Sequence, residues 1–172
     1  MKIDADDFEL FGLPRQFAQD RVRIDTRWKA LQSEVHPDRF TTEGTASQRV
    51  AMQWAVRVNE AYQRLKDPLR RAAYLCSLRG APIDAKTDTA MPADFLLQQM
   101  QWREALQEAE SAASIQALGA QMSEQRKERM QRLERLLDDQ GDAHAAASEV
   151  RALMFIERFA EDVDRRLEAL EQ

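Results

Sequence analysis

Val35-His36-Pro37-Asp38-Arg39-Phe40 lies between two strongly helical stretches, and its reading decides the fold. Proline fixes its own φ, lacks an N–H, and pushes the preceding His36 out of the α region. A helix arriving from Asp20 must therefore stop near Val35, and the hexapeptide itself is expected to be non-helical. His36 and Asp38 are then held on either side of a stiff residue at the tip of a helical hairpin. Such a tip is a plain turn, an active site or a contact point. The tripeptide does not choose among these, so its flanks must.

Upstream, Asp6-Asp7-Phe8-Glu9-Leu10-Phe11-Gly12-Leu13-Pro14 reads as one short helix. Carboxylates sit at its positive end, Gly12 suits the left-handed C-terminal position, and Pro14 follows. Asp20 is a good N-cap for the next helix. Ile24, Trp28, Leu31 and Val35 then form one apolar stripe, with Arg23 and Arg27 on its flank and Lys29 further round. Taken alone, these charges are a solvated face. Downstream, Thr41 to Ser47 is a polar loop containing Gly44. A longer helix follows, with Val50, Trp54, Val58, Ala61, Tyr62 and Leu65 expected as its buried stripe. Asp67 caps a last short helix, Pro68 opens it and Gly80 closes it. Two antiparallel helices joined by the His36 loop, with a short helix at each end, bury one small core. Trp28 and Trp54 belong to that core.

The chain has 172 residues, 44% of them apolar and 32% charged, which describes a folded soluble protein rather than a disordered one. No apolar run approaches the roughly 20 residues that span a bilayer. Met1 to Asp7 is acidic and lacks the apolar core of a signal peptide. The single Cys76 excludes an internal disulfide and fits a reducing compartment. A cytoplasmic protein with no membrane partner is expected. The first 80 residues carry a net charge of +3 and the remainder −8. Neither half has the basic excess of a nucleic-acid binder, so no nucleic-acid partner is expected. All five prolines lie at or before Pro92, which predicts short, jointed helices in the first part and long helices in the second.

Three linked motifs then stand in order: Asp7 to Leu13, His36 to Phe40, and Asn59-Glu60-Ala61-Tyr62-Gln63-Arg64-Leu65-Lys66-Asp67-Pro68. Over residues 4–79 the chain resembles a J domain. The resemblance implies that His36, Pro37 and Asp38 contact an Hsp70 partner and stimulate its ATP hydrolysis. It also implies that basic residues dock on an acidic Hsp70 face, for which Arg27, Lys29 and Arg39 are the candidates by position. Asp25, Ala30 and Glu34 stand where general J proteins carry basic residues, which suggests a specialised Hsp70.

Residues 81–92, with Asp84, Lys86, Thr87, Asp88 and Thr89 between two prolines, form a connector too polar for a core. Three helices follow at about Ala93–Ser111, Ser114–Asp139 and Ala143–Leu170, and short connections make them an antiparallel bundle. Gly119 costs its helix about 1 kcal/mol relative to alanine, so that helix is expected to begin late. The first of the three has one apolar face too many. Phe95, Trp102, Leu106 and Ala109 line one side, while Leu96, Leu97 and Met100 lie well round it, beside Gln101, Glu104 and Glu108. The last helix has Leu153, Ile156, Ala160, Val163, Leu167 and Leu170 as its core stripe, with Phe155 expected off it. The surplus faces either dock on the J domain or bind a partner; an apolar patch rimmed by carboxylates suits an apolar, basic partner surface.

The J domain, the segment Arg71 to Gly80 and this helical half together are similar to the HscB family, the J-type co-chaperones of bacterial iron–sulfur cluster assembly. The resemblance implies an all-α protein: a four-helix J domain with an antiparallel central hairpin over residues 1–80, a connector over 81–92, and a three-helix bundle over 93–172. It implies two partners, an iron–sulfur scaffold of the IscU type and a specialised Hsp70 of the HscA type. The scaffold-binding positions map onto Leu96, Leu97, Met100, Gln101, Glu104 and Glu108, with Phe155 supplied by the last helix. Gln101 replaces a usual acidic residue. The paired-cysteine extension of eukaryotic relatives is absent, so neither metal nor cofactor is expected. A general client-delivering J protein would bring glycine-rich or zinc-binding segments, which are missing. An enzyme using His36 with Asp38, or a metal site of His36, His144 and Cys76, rests on weak spacing.

Overall fold

The computed structural model describes residues 2–40, 42–84 and 90–172. Met1, Thr41 and residues 85–89, which include Lys86, Thr87, Asp88 and Thr89 of the connector, lie outside the described residues. Among the described residues every regular element is helical: α1 (Asp7–Phe11), α2 (Arg21–Val35), α3 (Thr45–Lys66), α4 (Pro68–Leu78), α5 (Ala93–Glu108), α6 (Ala112–Glu134) and α7 (Ala143–Glu171). The all-α class expected from the sequence is the class observed. Contacts divide the chain into two compact units, Met1–Leu75 and Cys76–Gln172.

In the first unit the caps fall where local chemistry puts them. The Asp6 carboxylate accepts the Glu9 N–H at 3.0 Å, and Gly12 ends α1 at φ +62°. Asp20 accepts from the Val22 N–H, and Asp67 from the Leu69 N–H. The hairpin of α2 and α3 closes over Ile24, Leu31, Val35, Val58, Ala61 and Leu65. Trp28 stacks on Tyr62 with ring centroids 4.2 Å apart and donates to Asn59 Oδ1 at 3.1 Å. Asn59 and Tyr62 of the third motif therefore fix the hairpin register. Beneath the hairpin Asp7 is fully buried between two guanidiniums, Arg57 at 2.7 Å and Arg64 at 2.6 Å, and its N–H donates to the Tyr74 hydroxyl.

Three details differ from expectation. Pro37–Phe40 forms a single 3-10 turn rather than a non-helical loop. Proline opens such a turn at no cost, because its missing N–H would have no partner there. Val50 is half-exposed, Ala51 takes the inward position, and Trp54, like Trp28 on α2, is only partly buried rather than in the core, so the stripe of α3 runs one residue later at its start. Val50 instead edges an apolar groove with Phe40 and Trp54 at the hairpin tip.

In the second unit α6 begins at Ala112, earlier than Gly119 suggested. Ser111 builds a capping box with Ser114, and that start outweighs one internal glycine. A five-residue π turn, Arg135–Asp139, closes α6 and buries Leu137. A β-carbon at Gly119 would meet only Val163 Cγ1, at an ordinary 3.8 Å. Gly119→Ala is therefore expected to stabilise this unit by about 1 kcal/mol, read as a higher melting temperature of the full chain. A lower one would show that the close α6–α7 approach needs glycine. Cys76 is buried, and its thiol is pushed up to about 11 by that burial, with Arg79 and Arg151 pulling it back only in part.

A charged pair in this core has no counterpart in the sequence reading. Arg129 and Glu149 are both nearly fully buried, 2.9 Å apart, and Arg132 donates to the same carboxylate at 3.1 Å. Arg129 also lies 4.7 Å from the Phe95 ring centre and 3.4 Å from Asp94. One guanidinium thereby ties the start of α5 to α6 and α7.

Candidate functional site

Two surfaces carry side chains that the fold itself does not use. The first is the hairpin tip. His36 ends α2 in extended geometry (φ −61°, ψ 128°), as a residue before proline must. The Asp38 N–H donates to His36 Nδ1 at 3.2 Å, which leaves the proton of the neutral imidazole on Nε2. The Asp38 carboxylate stands 3.6 Å from Nδ1, with the two side chains 58% and 86% exposed. This pair sits in the open, over a shallow depression lined by Lys29, Gln32, Ser33, His36, Asp38 and Arg39. A stiff turn that displays a ring N–H and a carboxylate to solvent suits recognition.

The structure thus gathers His36, Pro37, Asp38, Lys29 and Arg39 at one end of the hairpin. Arg39 donates to the Ser33 carbonyl at 3.2 Å, which holds its charge beside the loop. Arg27 stands apart. Its Nε donates to the Phe11 carbonyl at 2.7 Å, and its guanidinium covers Gly12 so closely that any β-carbon there would collide with it. Arg27 therefore closes the end of α1, a task the sequence did not reveal. Asp25 likewise has an internal job. It accepts from the Tyr62 hydroxyl at 2.7 Å and from Arg21 at 2.9 Å, and these bonds hold its carboxyl below the usual range.

The second surface is the outer face of α5. Phe95 and Trp102 point inward and are buried. Leu96, Leu97 and Met100 point outward, 49%, 61% and 68% exposed, with Gln101, Glu104 and Glu108 exposed beside them. Leaving three such side chains in water forfeits roughly 1.5–3 kcal/mol of burial each. Contiguous exposed apolar groups of this kind mark interaction sites.

Phe155 does not join them at the surface. It is 7% exposed, 5.6 Å from Phe95 and 5.6 Å from Phe159 by ring centre, with the Arg103 guanidinium 5.2 Å above its ring. The expectation of a surplus Phe155 is corrected by a simple count of partners: α7 packs on two helices, not one. Leu153, Ile156 and Val163 form one stripe, and Phe155 with Phe159 forms a second stripe under the aromatic face of α5. Leu170, assigned to the core stripe, is 43% exposed because α7 runs on past the bundle. Among the described residues no group of three His, Cys, Asp or Glu is placed to hold a metal ion, and no helix is long and apolar enough to cross a membrane.

Comparison with known proteins places these surfaces in context. Residues 91–164 match a family model described as the HSCB C-terminal oligomerisation domain. A co-chaperone protein HscB homolog of Burkholderia multivorans is 53% identical over 166 residues, covering 95% of each chain. Among solved structures, the chaperone HscB from Vibrio cholerae superposes with a TM-score of 0.81 at 36% identity, covering 96% of this chain and 99% of that one. Human co-chaperone protein HscB superposes at 0.87 with 28% identity, covering 96% and 84%.

Proposed function

The chain belongs to the HscB family of co-chaperones, and from that premise we propose that it is a two-site adaptor for iron–sulfur cluster assembly. The outer face of α5 binds an IscU-type scaffold through Leu96, Leu97 and Met100, with Glu104 and Glu108 meeting basic groups and Gln101 contributing a neutral contact. The His36 loop, with Lys29 and Arg39 beside it, engages an HscA-type Hsp70 in the cytoplasm and stimulates its ATPase. The bond-breaking chemistry belongs to the Hsp70; this chain regulates it. Arg27 contributes to docking only through the charge left over from its contact with Phe11.

The observation that carries this reading is the exposed apolar strip of α5, edged by carboxylates and uncovered within its own helical unit. Combining Leu96→Ser with Glu104→Arg removes one apolar contact and reverses one charge. Scaffold affinity measured by calorimetry should fall by about 100-fold, as losing one well-packed and one charged contact does. ATPase stimulation by the same variant in the absence of scaffold should be unchanged. An unaltered scaffold affinity would remove α5 from the binding surface.

A further inference from the structure

Next to the Leu96–Met100 strip, on the side away from Glu104, α5 and α7 form a cleft of about 580 Å³. Its floor is Phe155 and Phe159, and its rim carries Arg103, Arg158 and Arg165, all exposed, against Glu161 and Asp162. Asp162 already pairs with Arg165. Arg103 lies over the Phe155 ring and is exposed to solvent. Arg158 makes no ion pair among the described residues; its neighbour Glu157 is bonded instead to Arg126. A spare guanidinium beside aromatic faces is the arrangement that grips a carboxylate in a partly desolvated place.

Crossing α5 from one edge to the other, the surface is thus basic at Arg103, which faces Arg158 of α7 across the cleft, then apolar at Leu96 and Met100, and then acidic at Glu104 and Glu108 with Leu97 between them. At about 100° per residue these positions follow one another round the helix without a gap. A face charged in opposite senses at its two edges admits a complementary partner in one direction only.

We propose that the Arg103/Arg158/Arg165 cleft is a carboxylate-binding extension of the α5 face, taking an acidic group of the scaffold and setting the direction in which the scaffold lies across the helix. This rests on the reading of α5 as the scaffold-binding face. The occupant is chosen by charge complementarity and by the continuity of the cleft with the apolar strip.

The test uses the full chain and an IscU-type scaffold in calorimetric titrations at low and at high salt. Arg158→Glu should weaken binding about tenfold at low salt, and the deficit should shrink at high salt, since exposed charge contacts are screened. Leu97→Ser should weaken binding at both. Arg158 is exposed and without an ion-pair partner, so circular dichroism should show its variant folded as the parent is. If Arg158→Glu binds within twofold of the parent while Leu97→Ser loses affinity, the cleft is not part of the interface and the proposal is wrong, with the α5 reading intact. If the parent chain binds no scaffold, both fall together.

Discussion

Replacing His36 by glutamine should abolish stimulation of the Hsp70 ATPase and leave the chain folded. The imidazole touches nothing in the core. Its structural bond is the one that Nδ1 accepts from the Asp38 N–H, and its side chain is more than half exposed. Glutamine keeps a donor but replaces a flat ring, pinned by Pro37, with a chain of free rotors that must be ordered on binding. A residue at the centre of a small interface costs at least about 2 kcal/mol when truncated, which is roughly 30-fold or more in the partner response. Steady-state ATP hydrolysis by an HscA-type Hsp70 reads this directly, with the melting curve of the variant as control. Stimulation within threefold of the parent would show that the tip is only a turn.

The second large effect falls on stability. Asp7→Asn should cost the N-terminal unit about 3–5 kcal/mol, the usual result of removing one partner from a buried ion pair. Arg57 and Arg64, themselves only partly buried, would both be left facing a neutral amide at a position that is fully closed to solvent. Hydrogen exchange at the core amides of α2 and α3, followed in the full chain, should accelerate by about two to four orders of magnitude. The neighbouring Asp6 should matter less. Burial pushes its carboxyl up, but the Glu9 N–H and the Arg15 guanidinium outweigh that and hold it below the usual range. Its contribution is therefore present above the ordinary carboxylate pKa and lost as pH falls through the depressed one. An exchange rate changed less than tenfold in Asp7→Asn would mean that the two arginines are held by something else.

The N-terminal unit was legible because its joints are local. Asp6, Asp20 and Asp67 cap, Gly12 and Pro37 stop, and each acts within four residues of itself. What escaped there were side chains recruited across the unit, Arg27 onto Phe11 and Asp25 onto Tyr62, which look on a helical wheel like any exposed charge. In the C-terminal unit the surplus face of α5 was visible as a second apolar stripe. The misplacement of Phe155 came from granting each helix one partner, whereas α7 serves two. The buried Arg129 left one trace. It continues the spacing of Ile115, Leu118 and Met122 toward Leu133, a charge at a core position that asks for an opposite charge on a facing helix.

The central claim is that one chain must hold the scaffold and address the Hsp70 at the same time. Single-turnover ATP hydrolysis by the Hsp70 with scaffold present tests it, using the parent, His36→Gln, Leu96→Ser/Glu104→Arg, and an equal mixture of the two variants. The account predicts that the scaffold raises the rate only with the parent, and that the mixture does no better than Leu96→Ser/Glu104→Arg alone. A mixture that recovers the parent rate would show that the two surfaces work without being joined, and would contradict it.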